Sequence, residues 1–329
     1  MTSTGYAQDS PDVVFEKRSF TDVSRSIKKA FKFPGTPDRR IDVSVWYPAG
    51  AAGQGAHSLP LIIYSHGTYG YASNASHFVN HLVRHGYVVA APTFPLTSRE
   101  SFTGIPMAVG TDAPNQPKDV SFVIDQLLAD PELGAIIDPE EIGVVGHSLG
   151  AVTGYFLNYG AQLRDPRIGA NAMIGAGDPV QAVLAFGFGF VGVQHAPVAV
   201  PALFLSAQHD VFASLTGRPF AAYSRVEPPK QEVLIAGGTH VWFRDGDDKH
   251  PDGLNPDCLF FARSAPAMQV PGCQQPVDLI EPQVQREITR TALLDFFNAY
   301  LKHDKKALYS LQHIDDRFPA AEIRFENSR

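Results

Sequence analysis

Apolar and polar positions change their period several times along this chain, and each change predicts an element. Ser26 to Phe33 and Arg40 to Tyr47 alternate, and the Pro-Gly-containing break at Phe33 to Pro37 predicts that they pair as two antiparallel strands of a hairpin. Leu59 to Tyr64 is a continuous apolar run, as expected of a strand buried on both faces, and it leads into Ser65-His66-Gly67-Thr68. Phe78, Leu82 and Val83 then recur at helical spacing up to a stop at Gly86. Tyr87 to Ala91 predicts another buried strand, and Lys118 to Leu128 a helix carrying Val120, Val123, Ile124 and Leu127 on one stripe. Ile142 to Val145 is followed by a helix from Leu149 to about Leu163. Further strands are predicted at Ile168 to Ile174, Ala202 to Ser206 and Glu232 to Ile235, the last of the sheet. A C-terminal helix from about Val284 to Lys302 buries Leu294, Phe297 and Leu301. Strands and helices alternating at these intervals predict an α/β fold with a mostly parallel central sheet flanked by helices on both faces.

The chain is 329 residues long, 44% hydrophobic and 19% charged, which predicts a large core in a globular protein. We expect a flexible tail over residues 1–12 and a single domain over 13–329 with an apolar, cap-like insertion around 179–200. Between Asp178 and Asp210 no residue carries a formal charge; the stretch either packs on the sheet as a crossover or lines an apolar cleft. Its Gly187-Phe188-Gly189-Phe190-Val191-Gly192 matches a dinucleotide fingerprint only formally, because Pro197 and Pro201 stand where the phosphate-binding helix would begin. A net charge of −7 argues against a nucleic-acid partner, whose phosphates require Lys and Arg. The longest apolar stretch, Ala182 to Val193, is too short to span a bilayer, so no integral membrane association is expected. Met1 to Pro11 lacks the pattern of a secretory signal, which leaves a cytoplasmic protein or a mature exported one. Cys258 and Cys273 share one Pro-rich loop segment, where they form a disulfide in an exported protein or remain two separate thiols. The oligomeric state is unspecified, and a monomer is assumed.

The chemistry concentrates at Gly146-His147-Ser148-Leu149-Gly150, a G-x-S-x-G pentapeptide between a predicted strand and a predicted helix. A serine raised on so tight a turn needs glycine on either side to let strand and helix pass closely. A serine hydroxyl also needs a base within reach and a carboxylate to orient that base. His240, in Ala236-Gly237-Gly238-Thr239-His240 after the last predicted strand, is the expected base. Asp210, just beyond the strand ending at Ser206, is the expected acid, and Asp178, after the strand ending at Ile174, is the alternative. His147 is expected to be structural, His209 to shape the acid loop, and His250 to lie on the surface. The backbone amides of Thr68 and Leu149 are placed to hold an oxyanion. Tyr69, Phe212 and Trp242 flank these positions as candidates for the substrate pocket. His77, His81 and His85 recur at i, i+4, i+8 without the glutamate of a metal-binding helix, so a solvated stripe is expected and neither metal nor cofactor is called for. Asn74-Ala75-Ser76 is a glycosylation sequon.

Ile41-Asp42-Val43-Ser44-Val45-Trp46-Tyr47-Pro48-Ala49, Tyr64-Ser65-His66-Gly67-Thr68, Asp119-Val120-Ser121-Phe122-Val123-Ile124-Asp125 and the serine pentapeptide together resemble the α/β-hydrolase superfamily. Within it they are similar to the platelet-activating-factor acetylhydrolase and bacterial dienelactone-hydrolase-like esterases, from about residue 25 to 305. Asp210 as the acid is similar to the cutinase and polyester-hydrolase arrangement, whereas the acetylhydrolases place it one strand earlier, at Asp178. Dienelactone hydrolases proper use a cysteine where this chain has Ser148. The resemblance implies a cofactor-free carboxylic ester hydrolase, of carboxylesterase or lipase type, working through an acyl-enzyme on neutral, apolar acyl esters. A phospholipid, a triglyceride or a polyester would fit. A thioesterase or amidase on the same triad, and a catalytically silent binding protein, are the alternatives.

Overall fold

The computed structural model describes residues 12–30, 33–51, 56–99, 112–216, 222–246, 249, 253–259, 270 and 273–327. The tail expected over residues 1–12 falls, Asp12 apart, outside these, as does His250. The described strands form one sheet: β1 (Val13–Asp22), β2 (Arg39–Pro48), β3 (Leu59–Ser65), β4 (Val88–Thr93), β5 (Ile137–His147), β6 (Ile168–Ile174), β7 (Ala202–Ala207), β8 (Lys230–Ile235) and β9 (Ala321–Glu326), in spatial order β1-β2-β4-β3-β5-β6-β7-β8-β9. The inner strands β4, β3, β5, β6, β7 and β8 run parallel, and β2 and β9 pair antiparallel at either side.

Burial explains the pattern. All seven residues of β3 are buried, as a strand covered on both faces requires, while β2 buries alternate residues Ile41, Val43 and Val45. One face is covered by α1 (Ser76–Arg84), whose Phe78, Val79 and Leu82 pack with Ile288, Phe296 and Phe297 of the long C-terminal helix, Pro282–Leu301. Helix α2 (Gln116–Ala129) covers the other face through the predicted stripe Val120, Val123, Ile124 and Leu127. Beside it lies α4 (Leu149–Tyr159), buried along its whole length, with a short α3 (Leu133–Ile136) preceding β5. Among the described residues no helix is long and apolar enough to cross a membrane.

Three expectations are corrected. The antiparallel partner of β2 is β1, in register from Val13 against Pro48 to Asp22 against Arg39, and not the segment Ser26 to Phe33. That segment makes only the single bridges Ile27–Thr36 and Ala30–Phe33 and tucks Ile27 and Ala30 against Leu96, because the prolines at 34 and 37 prevent a longer ladder there. The sheet does not end at β8: β9, of sequence AEIRFE, adds to its edge. In the C-terminal helix Leu293 is fully buried with Phe297 and Leu301, and Leu294 only partly.

The uncharged stretch after Asp178 forms α5 (Pro179–Phe186) and an irregular return to β7. Ala182, Val183, Phe188 and Phe190 pack on α4, with the Phe156 and Phe190 rings stacked at 4.3 Å, while Leu184 and Val191 stand 73% and 85% exposed. Gly187 takes a left-handed conformation (φ 67°) as the C-cap of α5, so the formal glycine fingerprint closes a helix and opens none.

Candidate active site

Ser148 occupies the turn between β5 and α4 with φ 57° and ψ −120°, a conformation that costs a non-glycine residue backbone energy and is held only by its surroundings. Those surroundings are tight: the Ser148 amide donates to the Ile174 carbonyl at 2.9 Å, and a Cβ on Gly67 would lie 2.9 Å from the Ser148 Cβ. The loop after β3 therefore passes against the serine. Ser148 itself is partly exposed, at the carboxyl ends of the parallel strands, where open sheets of this kind bind ligands.

At the neighbouring strand ends, His240 Nδ1 lies 2.8 Å from Asp210 Oδ2, with both side chains buried. Asp210 is also the N-cap of α6 (Val211–Leu215), its Oδ1 accepting the Ala213 amide at 2.8 Å, so one carboxylate oxygen serves the helix and the other the imidazole. A Cβ on Gly175 would fall 2.8 Å from His240 Nδ1 and 3.1 Å from Asp210 Oδ2, which puts the end of β6 directly beneath the pair. Asp178 goes elsewhere. It caps α5 through the Val180 amide at 2.9 Å and accepts Arg225 through both oxygens, the shortest contact being 2.7 Å.

Two histidines brace the site in their neutral forms. His66 is fully buried; the Phe94 amide donates to its Nε2 at 3.2 Å, so its Nδ1 carries the proton and donates to the Gly67 carbonyl at 2.8 Å. Burial lowers its pKa to about 4. His147 donates from Nε2 to the His240 carbonyl at 3.2 Å, and burial, reinforced by His240, holds it well below the usual histidine range. The loop Thr68–Tyr69 is pinned by the Tyr69 amide on the Thr97 carbonyl and the Gly70 amide on Gly67. Leu149 is the first residue of α4, so its amide has no intrahelical acceptor and sits at the positive end of the helix.

Of the pocket candidates, Phe212 lies with its ring centroid 4.3 Å from that of His240 and 6.4 Å from Phe186, forming an aromatic wall beside the imidazole. Tyr69 is partly buried at φ 60°. Trp242 is corrected: it is fully buried, because the tight turn Val241–Phe243 directs it inward, and it presents no surface to a substrate. The histidine stripe on α1 is also corrected, since His77 Nε2 donates to the Phe243 carbonyl at 3.1 Å, His77 and His81 are half-buried, and His85 alone of the three is exposed. Among the described residues no three His, Cys, Asp or Glu side chains gather as metal ligands. Asn74 of the sequon is 2% exposed and accepts the Tyr64 hydroxyl at 2.8 Å, so it is closed to a glycan in the folded chain.

No family model and no curated protein sequence matches the chain. Among solved structures, a ferulic acid esterase from Streptomyces cinnamoneus is similar over 98% of this chain and 98% of its own, at 16% sequence identity and a TM-score of 0.64. The chain has the α/β-hydrolase fold.

The sheet places the Ser148, Asp210 and His240 loops side by side, but what holds them includes residues without any motif. Gln285, buried in the first turn of the C-terminal helix, clamps Thr239 from both sides, accepting its amide at 3.0 Å and donating to its carbonyl at 2.8 Å. Asp257, also fully buried, accepts the amides of Val211, His240 and Val241 at 3.1, 3.0 and 2.9 Å. The following residue, Cys258, is disulfide-bonded to Cys273, with Cα atoms 5.6 Å apart. A single polar residue that meets backbone groups from distant segments leaves no periodic or spaced signal.

Proposed function

We propose that this protein is a carboxylic ester hydrolase that works through an acyl-enzyme on Ser148, on neutral esters with an apolar acyl group. The observation that carries the reading is the buried His240–Asp210 pair, 2.8 Å apart, beside a serine held at positive φ on the turn into α4. With Nδ1–H donated to Asp210, His240 presents Nε2 as the base that takes the Ser148 proton, and Asp210 stabilises the imidazolium as it forms. The carbonyl oxygen turns negative in the tetrahedral intermediate and is held by the Leu149 and Thr68 amides, each contributing roughly 10²–10³ in rate. His240 then protonates the leaving alcohol, and water repeats the cycle on the acyl-serine. The aromatic wall of Phe212 and Phe186 and the uncharged α5 segment favour an apolar acyl chain over a charged one. The solved structure of similar fold being a ferulic acid esterase is consistent with ester chemistry. Phospholipid acyl groups and polyesters are substrates to be tried within this class, and the likeness to the acetylhydrolase and dienelactone-hydrolase-like esterases belongs to this reading as well.

The test is labelling with a fluorophosphonate probe and hydrolysis of a p-nitrophenyl ester series from acetate to palmitate. Wild type should label and turn over, and Ser148→Ala should do neither. Turnover that survives in Ser148→Ala would refute the mechanism, and the chain length giving the highest kcat/KM reads out the depth of the cleft.

A further inference from the structure

We propose that Asp257 is a positioning residue that locks the acid loop to the histidine loop, with the Cys258–Cys273 disulfide as the covalent brace of its turn. The proposal rests on the reading of Ser148, His240 and Asp210 as the reacting constellation. The three amides that Asp257 accepts belong to the residue after the acid, to the histidine itself and to the residue after the histidine. Its own amide donates to Asn255 Oδ1 at 2.9 Å, and Asn255 Nδ2 donates to the His209 carbonyl at 2.7 Å. Residues 255–257 thus grip the peptide groups on both sides of Asp210. His240 is held as firmly, with its amide on Asp257 and its carbonyl on His147 Nε2. Beyond the turn, Cys258 and Cys273 pack with Val211, Phe212 and Val270, so the disulfide lies against the helix that Asp210 caps.

Three backbone amides compensate Asp257, with no cation among its hydrogen-bond partners in the described residues, an expensive way to bury a carboxylate unless its geometry is used. Burial, and then the charge of Asp210, push its carboxyl up to about 6, while His240 and the Val241 and His240 amides pull it down. Asp210 and His240 are the titratable groups acting on it, and His147, its ring 4.5 Å from that of His240, stays neutral. Its two oxygens face the backbone amides of both loops, so what the carboxylate supplies to the site is geometry.

Asp257→Asn keeps the size but sets an amide nitrogen against backbone N–H groups and removes the charge. With p-nitrophenyl butyrate, kcat should fall about 100-fold with KM within about threefold, since a displacement of roughly 1 Å costs that much. A folded variant, checked by its melting temperature, whose kcat falls less than about tenfold, or falls only together with a matching rise in KM, overturns the proposal. Should Asp257→Asn not fold, Asn255→Ala decides: it leaves the carboxylate but frees its turn. A fall in kcat of about tenfold or more at unchanged KM supports the clamp, and unchanged kcat overturns it. Failure of wild type to label at Ser148 would instead refute the hydrolase reading, a separate result.

Discussion

Gly150→Ala tests the close approach on which the serine turn depends. A Cβ at residue 150 would lie 1.9 Å from the Ser65 carbonyl oxygen, 2.5 Å from its carbon and 2.9 Å from the His66 oxygen, where real contacts essentially never fall below 3.0 Å. The two segments must then part by about 1 Å, and neither has room to move. Ser65 ends β3, which is hydrogen-bonded between β4 and β5 and opposes Gly146, while α4 is buried along its whole length. Overpacking of flexible side chains costs about 1–3 kcal/mol, and with rigid backbone on both sides a loss at the top of that range, about 3 kcal/mol, is expected. The same displacement tilts Ser148, and labelling by a fluorophosphonate should slow about 100-fold. One turn along, Gly154→Ala is the control. Its Cβ meets only the Asn171 side-chain oxygen, at 3.0 Å, and the helix gains up to about 1 kcal/mol in propensity. Urea unfolding and second-order labelling rates of both variants give the answer. Gly150→Ala within about 1 kcal/mol of wild type and labelling at the wild-type rate would refute the close-contact argument.

Asp210→Asn should lower kcat about 10³–10⁴-fold, because an amide nitrogen facing Nδ1 favours the wrong imidazole tautomer, while Asp178→Asn, which removes the charge facing Arg225 and keeps an acceptor for the α5 cap, should keep kcat within a few-fold; the reverse order in an ester assay would move the acid to Asp178. Arg39 is fully buried between Asp112 and Asp119, so Arg39→Met leaves Asp112 without its cation and Asp119 with Arg25 alone, at 2.7 Å, and should cost about 3–5 kcal/mol in chemical denaturation. That deficit should be smaller at pH 5 than at pH 8, because protonation relieves the stranded charge, and Asp112 is already pushed up to about 6 by burial with Arg39 present. A deficit independent of pH would contradict it. His66 has a folded pKa of about 4 against 6.5 unfolded, so its contribution is complete above 6.5 and is lost as pH falls toward 4, where the unfolded chain binds a proton the folded chain excludes. The unfolding free energy of His66→Asn should consequently fall less steeply over that range than that of wild type, by up to about one proton, and equal slopes would remove His66 from the account.

What the linear chain determined is the set of elements whose physics is local. The continuous apolar runs of β3 and β7, the helical stripe of α2 and the glycine-flanked serine carry their meaning within a few residues, so the serine, the histidine after β8 and the mostly parallel sheet were legible without coordinates. Edge strands were not. β1 is rich in charge and its alternation is no stronger than that of residues 26–33, so which segment pairs with β2 is settled by the partner and not by the segment; β9 alternates strictly over Ala321–Glu326, but in only six residues at the end of the chain, half of them charged. Between Asp178 and Asp210 the sequence left a choice, because both follow strand ends, and only the fold shows that they face different partners: Arg225 in one case, His240 in the other. The inward turn of Trp242, and the grip of Gln285 and Asp257 on the histidine loop, are tertiary throughout. The grip of Gln285 and Asp257 joins groups 16 to 46 residues apart, and a hydrogen bond of that kind leaves no period in the sequence because its geometry exists only once the sheet has closed around it.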